Sequence, residues 1–468
     1  MSTTVDLAVV GGGITGLAAA WEGMARGADV VVLEAADRVG GKMLTSEVGG
    51  VPVDEAPDAF LARVPEAVDL CAELGIHADL VAPATASAYV WSERALRRLP
   101  TEQLLGVPTD VDAVAATGIL SPAGVSRARA DLTAADDRPP GDEPVGALVR
   151  RRLGDEVLDR LVAPLIGGIW AGDCDRLSLR TAAPVLAAAR DRGPSLLTAA
   201  AAARAEALAA AAAAGDRPVF LAPRGGMGCL AEALAERLGD RVRTGTPVTA
   251  IVAEGGRWRL APTGVVAGAV VLAVPAFAAA PLVARAAPAA RRAADLLAGI
   301  DHASVALVTV VAPREAVDRE LDGSGYLVPR SAGRLLTACS WVTSKWDRPV
   351  DGGAAVVLRA SVGHAADDRG TTLPDEVLVG AVLQDLAATM ELRGRPTAVR
   401  VSRWPRSFPQ PRPGHLDAVE GIEADLAEAT PGLAVTGAWA RGVGIPACIR
   451  GGRQAAARVL SHAGGTRG

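Results

Sequence analysis

The stretch Gly11-Gly12-Gly13-Ile14-Thr15-Gly16 constrains this chain more than any other. It follows an apolar run at residues 5–10 and opens a helical pattern at residues 17–26. A Gly-x-Gly-x-x-Gly turn between a strand and a helix is built for a phosphate: Gly11 permits the tight turn, Gly13 lets backbone approach a pyrophosphate, and Gly16 allows close packing of helix on strand. The helix N-terminus adds partial positive charge for the anion. A second strand at residues 30–33 leads into Glu34, 18 residues beyond Gly16, where a carboxylate accepts ribose hydroxyls and repels a 2′-phosphate. The chain therefore starts as a βαβ unit that takes a dinucleotide other than NADP.

FAD and NAD share that fingerprint, and the residues after Glu34 separate them. Arg38-Val39-Gly40-Gly41-Lys42 offers an Arg to a pyrophosphate and a Gly pair against which a flat ring can lie, which favours FAD. Asp54-Glu55-Ala56-Pro57-Asp58-Ala59-Phe60 is a polar turn able to place backbone donors near a flavin edge. Far downstream, Thr436 to Pro446 is Gly-rich and leads into a helix whose first turn suits Pro446. Such a helix N-terminus, aimed at the pyrimidine end of a flavin, stabilises the negative charge that develops there on reduction.

Composition removes other classes. Half of the 468 residues are apolar and 22% are charged, which excludes disordered and collagen-like chains. The net charge of −5, with no run of five or more like charges, lacks the footprint of a nucleic-acid binder. Five cysteines without a C-x-x-C and five histidines without ligand spacing point to reduced thiols and no metal site. The first strand starts too early for a signal peptide to precede it, so the expected location is cytoplasmic. Residues 199–214 come nearest to a membrane span; 13 of these 16 residues are Ala, but Arg204 and Glu206 interrupt, and an exposed helical tip is expected.

The expected fold class is α/β (an α+β composite): a Rossmann-like FAD-binding domain from discontinuous segments, an α-helical insertion domain and a second sheet domain, which a family resemblance implies to be a mixed-sheet substrate domain. The pattern divides into FAD-binding segment 1 (1–85), the helical insertion (86–215), with a Pro- and Asp-rich surface loop at 134–144, and FAD-binding segment 2 (216–295). A substrate-binding sheet (296–415) and FAD-binding segment 3 (416–468) follow.

Taken together, several stretches carry a resemblance: Gly11 to Gly16, Arg38 to Lys42 with Thr45, Glu55 to Leu61, Gly167-Gly168-Ile169-Trp170-Ala171-Gly172-Asp173, Gly225-Gly226-Met227, Gly325 to Arg330, Trp404 to His415, and Gly442 to Ile449. Over nearly its whole length the chain resembles the FAD-dependent protoporphyrinogen/coproporphyrinogen oxidases of the monoamine-oxidase-like flavoprotein superfamily. Gly325 to Arg330, Thr337 to Trp341 with Lys345 and Trp346, and Ile445 to Ile449 are most similar to the bacterial coproporphyrinogen-oxidising branch.

The resemblance implies FAD contacts at Gly11, Gly12, Gly13, Ile14, Thr15, Gly16, Glu34, Ala35, Arg38, Gly41, Lys42, Ala56, Pro57, Asp58, Ala59, Val248 (backbone to adenine), Trp404, Gly444, Ile445 and Pro446. Gly168, Ile169 and Trp170 would line the macrocycle cavity. No side chain serves as a catalytic base, because flavin N5 accepts hydride from the porphyrinogen. The implied reaction takes coproporphyrinogen III to coproporphyrin III in three two-electron cycles, with O2 reoxidising FAD to give peroxide. Hand-over to a ferrochelatase and peripheral contact of the helical domain with the inner face of the membrane are implied as well. Plant-type relatives carry an Arg just before the residue matching Tyr89, thought to grip a propionate. This chain has Ser87-Ala88-Tyr89, so propionates must meet other groups. Protoporphyrinogen IX oxidation, another amine-oxidase-fold flavoenzyme, and a redox-silent binding protein of the same fold remain the alternatives.

Overall fold

The apolar run at the N-terminus forms the strand Thr3–Val10, with parallel neighbours on both sides, Val30–Leu33 and Val265–Leu272. Its last six residues read Leu-Ala-Val-Val after Val5 and Asp6 and are almost all buried, the pattern of a strand covered on both faces. A computed structural model describes residues 3–213, 215, 218–347 and 350–464. In it, this strand is central to a seven-stranded sheet assembled from separated segments. Val242–Arg243 extends the parallel set beyond Val30–Leu33, Leu433–Val435 pairs in parallel with Val265–Leu272, and Arg257–Ala261 and Ala250–Glu254 continue the other edge antiparallel. The discontinuous nucleotide domain read from the sequence is thus present as one sheet.

The helix Ile14–Ala25 packs on one face of that sheet, and beside it runs the C-terminal helix Ile445–Gly464. Gly452 permits their close crossing, since a Cβ there would sit 2.1 Å from the Thr15 carbonyl oxygen; Gly23 lets the first helix lie on the sheet, where a Cβ would meet Leu7 at 2.8 Å. The opposite face is covered by Ala276–Ala286, Arg291–Ala298 and His415–Ala429.

A second seven-stranded sheet runs in the order Ala398–Pro409, His302–Pro313, Ala355–Val362, Leu336–Trp341, Gly325–Leu327, Tyr89–Ser92, Ala95–Arg98. Its pairings are antiparallel except for Gly325–Leu327 with Tyr89–Ser92, so it is a mixed sheet as expected. Residues 89–98 belong to this sheet and not to the helical segment with which the sequence grouped them. Four-residue strands give too little alternation to read, and their partner lies far away in the chain.

The helical part has its own core, from Val107 to Ala200. Residues 134–142 lie on its outside as irregular chain. Its last helix, Leu196–Ala213, starts three residues earlier than the Ala run suggests and, at 18 residues, is long and apolar enough to cross a membrane by length and composition alone. That corrects the expectation that no segment qualifies, since Leu196, Leu197 and Thr198 add length and hydropathy. Only its first turn is buried, and Arg192 holds Glu206 through two 2.8 Å bonds. The expected last residue, Ala214, lies outside the described residues.

Asp131 ties this helical part together. Its fully buried carboxylate accepts from Arg152 Nε at 2.6 Å, Ser195 Oγ at 2.9 Å and the Leu197 N–H at 2.8 Å. Removing it leaves the buried Arg152 guanidinium only Asp137 at 3.1 Å and the Ala135 carbonyl at 2.8 Å, a loss at the lower end of the about 3–5 kcal/mol for breaking a buried pair. Asp131→Ala is therefore expected to lower the chemical-denaturation stability by about 3 kcal/mol. A loss within about 0.5 kcal/mol, the range of an ordinary surface substitution, would contradict it.

Candidate functional site

The predicted nucleotide turn is held by contacts that only glycine allows. A Cβ on Gly16 would lie 1.9 Å from the Gly11 carbonyl oxygen, and one on Gly11, at φ +106°, would lie 2.5 Å from the Ala273 carbonyl oxygen. Gly13 is different: nothing lies within 4 Å of its added Cβ. Two glycines are thus needed for packing, and the third leaves open space in front of the helix start, which is what a bound pyrophosphate requires. Gly13 is also the N-cap, where no side chain caps the helix and no acidic residue occupies the first turn, so the anion-attracting end is left to a ligand.

Glu34 closes one side. Its Oε2 accepts from the Gly12 N–H at 2.6 Å and its Oε1 from the Ala36 N–H at 2.8 Å, which fixes the carboxylate at the end of its strand. The Gly245 and Thr246 N–H groups donate to the Ala36 and Glu34 carbonyls at 2.7 and 2.8 Å, laying residues 245–248 along the same edge. Val248 therefore stands on the Glu34 side of the turn, where an adenine would lie, and Ala35 is exposed there.

The Arg38–Lys42 loop folds onto the glycine turn. Gly40 N–H donates to the Gly12 carbonyl at 2.8 Å, and an added Cβ on Gly41, at φ +57°, would come within 3.3 Å of Gly13 Cα. Arg38 bonds only backbone, the carbonyls of Val39 and Gly41 at 3.1 and 2.8 Å, which leaves its charge unneutralised by any carboxylate among the described residues. Lys42 is half-buried, with its ammonium on the Ser407 carbonyl at 2.6 Å and over the Phe408 ring. Burial pushes its pKa below the ordinary value. Cys448, in the first turn of the C-terminal helix, lies within electrostatic reach of Lys42 and bonds Thr15. That brings Gly444, Ile445 and Pro446 to the same place as Ile14 and Thr15, and this second helix start also lacks an acidic residue.

The turn at residues 54–60 is clamped between the hairpin Thr45–Asp54, the residues that open the helix Gly228–Leu238, and the second sheet. Asp54 accepts from Thr45 Oγ1 at 2.6 Å and from the Met227 N–H at 2.7 Å, which explains why Gly225-Gly226-Met227 accompanies it. Glu55 is held by Ser46, by Ser402 Oγ at 2.9 Å and by Arg400 at 3.2 Å, and its carbonyl accepts the Trp404 indole N–H at 2.6 Å. Asp58 pairs with Lys345 at 2.8 Å and Arg359 at 3.0 Å. Ala56, Pro57 and Ala59 are half-buried on the resulting rigid turn. Trp404 thus reaches the turn as a brace, a role that sequence alone does not disclose.

The end of the helix Ala163–Trp170 meets the second sheet. Gly168 and Ile169 are exposed, and an added Cβ on Gly168 would come 3.6 Å from Leu327 of the second sheet. Trp170 departs from expectation. Its ring is buried in the helical core with the indole N–H on the Ala182 carbonyl at 3.2 Å, so only its carbonyl faces outward, to Gln410 Nε2 at 2.8 Å. Helical periodicity turns it away from Gly168 and Ile169. Sequence reasoning also missed Arg98. Standing opposite Tyr89, it donates to Ser87 Oγ at 2.8 Å and pairs with Asp322 at 2.6 Å. An Arg is therefore present beside Ser87 in space, with its charge already matched by Asp322.

The profile of a family described as flavin containing amine oxidoreductase matches residues 14–460. The chain is 33% identical over 464 residues to the coproporphyrinogen III oxidase of Bacillus subtilis (strain 168), covering 97% of each protein. It is 35% identical over 494 residues to the coproporphyrinogen III oxidase of Propionibacterium freudenreichii subsp. freudenreichii, covering 98% of this chain and 91% of that one. The crystal structure of a protein from Exiguobacterium sp. 255-15, assigned provisionally as a protoporphyrinogen oxidase, superposes with a TM-score of 0.84 at 31% identity, covering 98% and 99% of the two chains.

Two outcomes follow from this geometry. Gly16→Val places side-chain atoms where the Gly11 carbonyl stands, and purified protein is expected to have lost its flavin absorbance; cofactor content equal to wild type would contradict the site. Burial opposes the Asp58 charge, but Arg359 and Lys345 outweigh it and hold the carboxyl at about 2 against an ordinary 3.8. The folded state's pKa is the lower one, so the stabilisation is complete above about pH 4 and drains away as pH falls toward 2. Asp58→Asn should cost about 2 kcal/mol at neutral pH and flatten the wild-type loss of stability between pH 4 and 2, read by denaturant titration at each pH.

Proposed function

The chain belongs to the flavin containing amine oxidoreductase family, and from that premise we propose that it is an FAD-dependent coproporphyrinogen III oxidase of haem biosynthesis, with O2 as the terminal acceptor. The observation that carries the reading is one meeting point. The open face of Gly13 with Gly41 beside it, the first turn of the Ile445–Gly464 helix at Cys448 and the Lys42 ammonium converge on one side of the first sheet, while Val443, just before that helix, and Leu327 pack against the helical core whose end carries the exposed Gly168 and Ile169.

When bound, FAD supplies the two-electron acceptor for porphyrinogen C–H oxidation, and six electrons leave the ring over three cycles with three peroxides released. The chain's own residues hold and shield. The Gly11–Gly16 turn and Arg38 would take the pyrophosphate, and Glu34 the ribose hydroxyls. The start of the C-terminal helix would place partial positive charge at the pyrimidine end, stabilising negative charge there without a side-chain acid. The 54–60 turn, braced by Trp404, Arg359 and Lys345, would give the flavin a rigid edge to lie against. Gly168, Ile169 and Leu327 give the substrate an apolar wall that excludes water. A cytoplasmic location accompanies this reading.

Purified protein is expected to be yellow and to turn colourless coproporphyrinogen III into fluorescent coproporphyrin under air, with peroxide released and with a higher kcat/KM than for protoporphyrinogen IX. Equal rates on the two porphyrinogens, or a preference for protoporphyrinogen IX, would overturn the substrate; a colourless protein without turnover would overturn the reaction.

A further inference from the structure

Where the helical part meets the second sheet there is a cleft of about 350 Å³. Its wall carries three guanidiniums, Arg176, Arg406 and Arg412, against two carboxylates, Asp173 and Asp301. Both carboxylates are engaged. Asp301 bonds Arg412 and lies 3.5 Å from Arg176, while Asp173 lies 3.7 Å from Arg330. Arg406 is left over: among the described residues its guanidinium makes no ion pair or hydrogen bond and rests 3.7 Å above the Phe277 ring.

The backbone singles out the same residue. Between Ala303 and Val305 the strand register slips opposite Ala398–Pro409, and Arg406 sits at φ +47° with its N–H on Ser304 Oγ at 3.0 Å. The left-handed region is sterically unfavourable for a residue with a Cβ. Here it turns a long cationic side chain out of the sheet and into the cleft. His302, edge-on to Phe277, adds no competing charge at neutral pH, because burial holds it at about 4.

The cleft adjoins the redox site on two sides. Arg406 precedes Ser407, whose carbonyl holds Lys42, and the lining residue Gln410 donates to the Trp170 carbonyl at the end of the Gly168–Trp170 stretch. Its volume lies at the small end of the roughly 300–1,000 Å³ of ligand sites, which suits a side arm rather than a whole macrocycle.

We propose that this cleft binds a carboxylate arm of the tetrapyrrole, with Arg406 as the specificity-determining residue that favours the tetracarboxylate ring over the dicarboxylate one. The proposal rests on the functional reading above. The two rings differ where one carries propionates and the other vinyl groups. A propionate entering the cleft neutralises Arg406 through a charge-assisted bond, whereas a vinyl group leaves it unpaired.

The test uses FAD-loaded full-length protein and the stable oxidised rings, so that binding is read without turnover. Fluorescence titration with coproporphyrin III should show Arg406→Gln binding about tenfold more weakly than wild type, as expected for one lost charge-assisted bond. The deficit should shrink as salt is raised, and protoporphyrin IX binding should stay within about twofold of wild type. Arg406→Lys, which keeps the charge but not the fork, should recover part of the loss. Unaltered coproporphyrin binding in Arg406→Gln, or an equal loss for both rings, would overturn the proposal, provided that flavin absorbance and melting temperature match wild type, as they should for a guanidinium that makes no bond in the fold. Wild type that binds coproporphyrin III with this Arg406 dependence yet fails to oxidise coproporphyrinogen would remove the functional reading and leave the carboxylate site standing.

Discussion

The close crossing of the first and last helices is the contact on which the rest of the site depends. Gly452 lies against the Thr15 carbonyl with no room for a Cβ, and Gly16 lies against the Gly11 carbonyl in the same way. The first contact crosses the two helices near the start of Ile14–Ala25, the second shapes the turn that opens it, and Cys448 in the first turn of Ile445–Gly464 reaches Lys42 beside that turn, so that both helix starts face one region. Neither start carries an acidic residue in its first turn. A pair of positive helix ends without counter-charges is tolerable when an anionic dinucleotide occupies the space between them.

Around that point the protein spends buried charge on rigidity. Asp54, Glu55 and Asp58 follow one another along a single turn, and each is matched from a different segment: Thr45 and Met227, Ser402 and Arg400, Lys345 and Arg359. Buried ion pairs contribute little net stability over apolar packing, but they specify geometry, because a displaced partner leaves a desolvated charge. The turn ties the Thr45–Asp54 hairpin and the start of the Gly228–Leu238 helix to the second sheet, so its charges fix how these three segments meet. The helical part is secured by the same device at Asp131 and Arg152.

Much of the nucleotide site was legible because its requirements are local. A tight turn needs Gly11, a helix approaching a strand needs Gly16, and the carboxylate at Glu34 follows from the length of one βα unit. The C-terminal half of the site was legible for the same reason, since Gly444 and Pro446 mark a helix start on their own. What the sequence hid depends on partners remote in the chain. Gly452 has no local reason to be glycine, Trp404 braces a turn hundreds of residues earlier, and Arg98 stands beside Ser87 only because two short strands pair. Trp170 misled because a motif conveys position along a helix but not which way the side chain turns; its ring went to the helical core.

From the order of residues alone one obtains the cofactor class, the discontinuous nucleotide domain and the family, because these rest on backbone conformations that short glycine patterns dictate. Tertiary structure decided which charges remain available. Arg98, Arg176, Arg406 and Arg412 are equivalent as letters, yet three are neutralised by Asp322 or Asp301 and one is held outward by a strand irregularity, free of any carboxylate among the described residues. Whether a guanidinium can receive a ligand is a question of what already lies within hydrogen-bonding distance of it, and that distance exists only once the chain has folded.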